Sequence, residues 1–194
     1  MNPLPRDFYA RGAKSVAREL LGCVLETKVG GQLTSGRIVE VEAYVGPHDP
    51  AAHGYQARRT QRNEALFGPP GTSYVYFIYG MYWCVNAVAE TVDYPAGVLI
   101  RALEPIDGMS LMERRRGVAK PRDLCSGPGK LCQALGITGS MNARSLDSKQ
   151  LRIVGPGAGK PAKIQSTARI GISRAVDWPL RFVESGSRWL SRPA

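Results

Sequence analysis

Two apolar–polar alternating runs, CVLETKV and QLTSGRIVEVEAYV, flank Gly30-Gly31. A second pair, TSYVYFIY and YWCVNAVAE, flanks Gly80-Met81. Alternation about a glycine-bearing turn is the sequence form of a β-hairpin, so two hairpins frame the first half of the chain. GVLIRALEP adds a further buried strand, and ARIGI and LRFVE read as short strands near the far end. Helical spacing over Ala13–Leu21 predicts a helix stopped by Gly22. Asp107–Arg116, ended by Gly117, and Pro128–Leu135, with proline at its start and Gly136 after it, predict two more. Residues 47–71 read as a long loop with one short helix near Asn63–Leu66, and such loops are often functional. The pattern gives an α+β class: a single domain over 1–194, with a mainly antiparallel sheet and flanking helices. The Gly/Pro stretch 155–161 is the one candidate boundary, and the 33 residues beyond it are too few for a core of their own.

Composition excludes several function classes. Hydrophobic residues make up 43 % of the 194, enough for a core and too many for a disordered chain. No apolar run reaches the ~20 residues of a membrane helix, and the start lacks the form of a signal peptide. Cys23, Cys84, Cys125 and Cys132 form no Cys-x-x-Cys pair. Only His48 and His53 could join them, so no zinc pattern appears and neither metal nor cofactor is expected. Buried, reduced thiols in the cytoplasm are the default. No glycine-rich nucleotide loop is present. The net charge of +10 is uneven: residues 114–194 hold 16 Lys/Arg against 4 Asp/Glu, while residues 1–113 hold 10 against 12. A polyanion, most often nucleic acid, fits that imbalance; an anionic membrane surface or a merely solvated basic face fits it too.

Three clusters could carry chemistry. In the strand from Arg37 to Val45, alternation puts Ile38, Glu40, Glu42 and Tyr44 on one face and Val39, Val41 and Ala43 on the other. A carboxylate leading into a long loop can serve as a base, or the glutamates can line a solvated face. Tyr74, Tyr76, Tyr79 and Tyr82 crowd into nine residues. They suit a stacking platform for a base with a wedge at the hairpin tip, or a tyrosine-rich core. Arg58, Arg59, Thr60 and Arg62 form a donor cluster that could grip phosphates or stand in water. Arg101 interrupts an apolar run and needs a carboxylate partner if buried. Glu42 is the partner to name; an exposed edge strand is the other possibility.

These segments, with Ala52-His53, Thr60…Arg62-Asn63, the long run Pro70–Asn86, Leu99–Pro105 and Leu124–Leu131, resemble the alkyladenine (3-methyladenine) DNA glycosylase family over about Arg11 to Trp189. The resemblance implies a curved sheet with a protruding β-hairpin, and base excision repair of double-stranded DNA. The enzyme would flip 3-methyladenine, 7-methylguanine, ethenoadenine or hypoxanthine out of the duplex and hydrolyse the N-glycosidic bond. By resemblance Glu42 is the base that activates water, with Arg101 and the Ile170 carbonyl holding that water. Tyr44 and His53 stack on one side of the flipped purine and Tyr76 on the other; Asn86 and Leu99 complete the pocket. Asn86 clashes with the 2-amino group of normal guanine, and the His53 N–H reads the purine 6-position. Tyr79 fills the gap left in the duplex, with Met81 and Tyr82 beside it. Arg58, Thr60, Arg62, Arg116 and Lys130 contact phosphates. No lysine nucleophile is implied, so the enzyme is monofunctional and leaves an abasic site. A cytoplasmic monomer working at the nucleoid completes the expectation. Gln61, Trp83 and Ala87 depart from the family pattern near the pocket.

Overall fold

The structure is a computed structural model that describes residues 2–156, 159 and 163–194. In chain order the elements are α1 (Arg6–Tyr9), α2 (Ala13–Leu20), β1 (Val24–Val29), β2 (Gln32–Tyr44), β3 (Ser73–Ile78), β4 (Tyr82–Ala89) and β5 (Ala96–Pro105). After them come α3 (Met109–Arg116), α4 (Pro121–Leu124), α5 (Pro128–Leu135), β6 (Leu151–Val154), β7 (Ile164–Thr167) and β8 (Arg181–Glu184). Short 3-10 turns interrupt the long 45–72 connection at Tyr55–Ala57 and Glu64–Phe67. The strands form a single antiparallel sheet in the order β3-β4-β5-β2-β1-β6, with β7-β8 branching from the far half of β2. The fold is α+β with an antiparallel sheet, as the alternation implied, and the sheet is curled.

The sequence explains these elements locally. Ala13, Val16, Ala17 and Leu20 recur at helical spacing, and all four are buried, so α2 lays one apolar stripe on the sheet. Burying a side chain such as Leu20 stabilises by about 1.5–3 kcal/mol. Leu131, Cys132, Ala134 and Leu135 do the same for α5. Gly117 and Gly136 end α3 and α5 in the left-handed conformation expected of a C-terminal glycine. The α3 helix starts at Met109 rather than Asp107, because the Asp107 carboxylate accepts from the Ser35 hydroxyl instead.

Two expectations fail. ARIGI is not a strand: the strand lies earlier, at Ile164–Thr167, and Ala168–Ile172 is irregular, with the Ile170 N–H turned to the Glu42 carboxylate and the Arg169 guanidinium to the Ala43 carbonyl. The simple alternation along β2 also fails at one place. Ile38 pairs with Leu103 and Glu40 with Ala102, yet Val41 pairs with Ile100. Val39 on β2 and Arg101 on β5 are therefore both extra residues, two bulges that cancel in register. Ile38 thus joins Val41 and Ala43 in the main core, while Val39 joins Ala102 and Val183 in a smaller cluster. On each strand two consecutive residues, Val39-Glu40 and Arg101-Ala102, lie on the face away from the main core. The stretch 155–161 falls partly outside the described residues.

Candidate active site

The register assembles the site row by row. Glu42 faces Leu99, Leu99 faces Asn86, and Asn86 faces Tyr74, a line across β2, β5, β4 and β3. Tyr44 pairs with Gly97 in the row to one side, and Tyr76 with Cys84 in the row to the other. Their opposite-parity neighbours, Val41, Ala43, Val98, Ile100, Val85 and Val75, form the main core. One face of the sheet is thus structural, and the other lines a cavity of about 590 Å³ bounded by Tyr44, His53, Tyr76, Asn86, Leu99 and Arg101 among others. That size is typical of a small-molecule pocket.

Behind this cavity lies Glu42, with no exposed surface. Its carboxylate accepts the Ile170 N–H at 2.7 Å and the Tyr44 hydroxyl at 2.9 Å. The Arg101 guanidinium stands 3.3 Å away. Three donors make burial of the charge tolerable. The solvated-face reading of Glu40 and Glu42 does not hold, because both are fully buried. Arg101, also buried, has the expected partner Glu42 and a closer one, Glu40, at 2.9 Å. Ile170 meets Glu42 through its N–H.

Glu40 is the hub beneath. It accepts from Arg101 and Arg181, each at 2.9 Å, and from both the N–H and the hydroxyl of Ser191 at 2.6 Å. Burial by itself would raise its pKa; the Arg181 and Ser191 hydrogen bonds and the Arg101 charge outweigh burial and hold the carboxyl below its ordinary value. Burial works against the Arg101 charge in the same way, and Glu42 and Glu40 overcome it, so Arg101 stays protonated.

The aromatic wall is continuous. Tyr74 and Tyr76 stack at 5.2 Å between centroids. The His53 ring meets Tyr76 edge-on at 4.6 Å and shares a hydrogen bond with the Tyr74 hydroxyl at 2.8 Å. His53 therefore sides with Tyr76, not with Tyr44 as the resemblance implied. Desolvation of its ring and the Arg62 charge lower the His53 pKa and favour the neutral ring, although the residue as a whole is exposed. Burial, then the Glu42 charge, raises the Tyr44 pKa far above its usual value, so that hydroxyl is a lasting donor to Glu42. The Asn86 side chain is fixed by donating to the Tyr74 carbonyl at 3.0 Å. Asn63 donates to the carbonyls of His53 and Arg58, which pins the long loop against this wall.

Sequence reasoning missed two residues that hold the Glu42 end of the site. Asp49 and Arg169 form a fully buried bidentate pair, at 2.5 and 2.8 Å. Arg169 also donates to the Ala43 carbonyl and lies over the Tyr44 ring at 4.7 Å. It therefore fixes Tyr44 and delivers the next residue's N–H to Glu42. Reading ARIGI as a strand hid this; an arginine amid apolar residues was the available signal.

At the hairpin tip, Tyr79 is 77 % exposed and holds a left-handed φ of 55°, uncommon for a residue with a side chain. Met81 is exposed too. Tyr82 is half-covered: its Cβ sits where a Cβ on Gly129 of α5 would come within 2.9 Å. The phosphate candidates divide. The Arg58 side chain has no partner among the described residues. Thr60 donates to Asn63, and Arg62 donates to the Phe77 carbonyl at 2.9 Å beside the hairpin. Lys130 donates to Ser126 in the first turn of α5. Arg116 is engaged inside the fold, donating to the Leu124 and Asp123 carbonyls and to Gln133, so it ties α3 to α4 and α5. Arg59, outside the expected contacts, pairs with Glu64 and Asp93. All four cysteines are buried and none is in a disulfide, and among the described residues no group of three or more His, Cys, Asp and Glu could hold a metal ion. No helix among the described residues is long and apolar enough to cross a membrane.

Comparison with known proteins agrees with this geometry. Residues 7–188 match the family model described as methylpurine-DNA glycosylase. A Methanoculleus marisnigri protein is 50 % identical, the match covering 97 % of this chain and 98 % of the relative. One from Rhodopseudomonas palustris strain ATCC BAA-98 is also 50 % identical, over 98 % and 88 %. One from Clostridium acetobutylicum is 45 % identical over 97 % of each. All three carry the name "Putative 3-methyladenine DNA glycosylase". With a family model spanning nearly the whole length and relatives this similar, the chain belongs to the methylpurine-DNA glycosylase family.

Proposed function

We propose that this protein excises alkylated and related purines, 3-methyladenine, 7-methylguanine, ethenoadenine and hypoxanthine, from double-stranded DNA by simple hydrolysis. The observation that carries the reading is the Glu42 carboxylate, held by Arg101, Tyr44 and Ile170 directly behind a cavity walled by Tyr44, His53 and Tyr76. The damaged nucleotide leaves the helix because its sugar C1′ is out of reach within the stack. Tyr79 takes its place and offsets part of an unstacking cost of roughly a few kcal/mol.

The extruded purine lies against the Tyr76–His53 wall, with Tyr44 opposite. Electron-rich rings favour the positive charge of a methylated purine. The fixed Asn86 amide crowds the 2-amino group of undamaged guanine. Glu42 takes a proton from a water that bonds to C1′ while the C1′–N bond breaks, and the electron pair of that bond leaves with the base. The charge of Glu42 also stabilises the oxocarbenium-like sugar, and Arg101 orients carboxylate and water together. No lysine takes part, so the product is an uncut abasic site and the whole chain acts as one catalytic domain.

The test is single-turnover excision from a duplex bearing one ethenoadenine. Wild type should release the base. Glu42→Gln should bind the duplex and lose excision by at least a hundredfold. Excision by the variant at the wild-type rate would overturn the mechanism.

A further inference from the structure

Two arginines outside the expected contacts, Arg174 and Arg192, line the same cavity. Both are exposed, and neither guanidinium has a hydrogen-bond or ion-pair partner among the described residues. The same wall holds Arg101 and Ile170, which meet Glu42, and Arg101 also donates to Ser191, the neighbour of Arg192. Arg192 does not reach that position by its own packing. The segment 190–194 is tied down by buried charge: Ser191 donates its N–H and hydroxyl to Glu40, and Arg181 donates to the carbonyls of Arg192, at 2.7 Å, and Pro193, at 3.3 Å. Glu40 and Arg181 are both nearly or wholly inaccessible to solvent. Two buried, mutually paired ions spent on one short segment are costly unless its position matters.

We propose that Arg192, together with Arg174, forms a binding site for the backbone phosphates of the extruded nucleotide, and that the Glu40–Arg181–Ser191 cluster is what seats Arg192 there. The proposal rests on the glycosylase reading above, since it requires a nucleotide in the cavity. A nucleotide swung out of a duplex carries its phosphates to the rim of the pocket that receives its base, and arginine is the side chain best shaped to meet them. The same buried cluster also sets Arg101, because one Glu40 oxygen accepts from Arg101, Arg181 and Ser191 alike. Glu40 is thus a positioning residue, acting on phosphate grip through Arg192 and on the reacting carboxylate through Arg101.

The experiment measures affinity for an ethenoadenine duplex against salt concentration, with Glu42→Gln as the parent so that no turnover intervenes. Each phosphate contact contributes about 0.9 to the slope of log K on log salt. Arg192→Ala should lower the slope by about that amount, Arg174→Ala likewise, and Arg192→Lys should restore it. Glu40→Gln should lower the slope as Arg192→Ala does, and adding Arg192→Ala to it should cause no further loss. Should Glu40→Gln fail to fold, Ser191→Pro, which removes the N–H donated to Glu40, takes its place. An unchanged slope in Arg192→Ala overturns the phosphate site. A further loss in the double variant overturns the role of Glu40. A protein with native Glu42 that releases no base from lesion duplexes would instead bring down the glycosylase reading itself, whereas normal excision with a flat Arg192→Ala result brings down the phosphate site alone.

Discussion

At the scale of single residues, the site depends on charges that are buried and fully spoken for. Glu40 accepts four hydrogen bonds from three residues and titrates lower in the folded chain than in the unfolded one. Its contribution to stability is therefore complete above the ordinary carboxylate value of 4.5 and is lost as pH falls through its lower folded value. Thermal unfolding followed from pH 7 down to pH 3 should show a fall in Tm that Glu40→Gln, where it folds, makes shallower. An equally steep fall in that variant would assign the acid sensitivity to other carboxylates. Glu42 and Arg101 were legible in the sequence as a carboxylate and an arginine needing each other. That Arg101 divides itself between Glu42 and Glu40 was not, because two cancelling bulges put Arg101 out of simple alternation.

Among the elements, the β3–β4 hairpin carries the clearest conflict between local cost and placement. Tyr79 is held at positive φ with most of its ring in solvent, where asparagine or glycine would sit with less strain. Such strain is a reason to look for function. Beneath the tip, Tyr82 rests on Gly129, and α5 thereby supports the hairpin. Tyr79→Ser should leave thermal stability within about 0.5 kcal/mol, as for an exposed side chain, yet weaken base extrusion. The reading is the fluorescence of ethenoadenine in a duplex on binding: the change seen with wild type should shrink severalfold. The same change in the variant would mean that Tyr79 does not fill the gap. Both hairpins, the helices over 13–20 and 128–135 and the strand over 96–105 follow from alternation, helical spacing and glycine stops, since those signals are local.

For the whole molecule, charge is divided between surface and interior. Part of the basic excess in residues 114–194 is internal: Arg115, Arg116, Arg169 and Arg181 all donate to groups within the fold. What remains outside should still make binding to undamaged duplex DNA fall at least tenfold between 50 and 200 mM salt. Anisotropy titrations would read this, and a salt-independent affinity would contradict a phosphate-led search. The sequence by itself determined the α+β class and the two hairpins, and it named Glu42 as a partner for Arg101 and a hairpin tip as the place of Tyr79, because each depends on neighbours a few residues apart or on the need of a buried charge for a partner; that Arg101 is buried and Tyr79 exposed was settled by the tertiary structure. The tertiary structure alone decided that His53 sides with Tyr76, that Asp49 and Arg169 hold the Glu42 end, that Ser191 binds Glu40 and that Arg192 lines the cavity. These contacts join residues 23 to 151 positions apart across strand registers and a pair of bulges, and no local periodicity encodes which distant groups the curled sheet brings within hydrogen-bond reach.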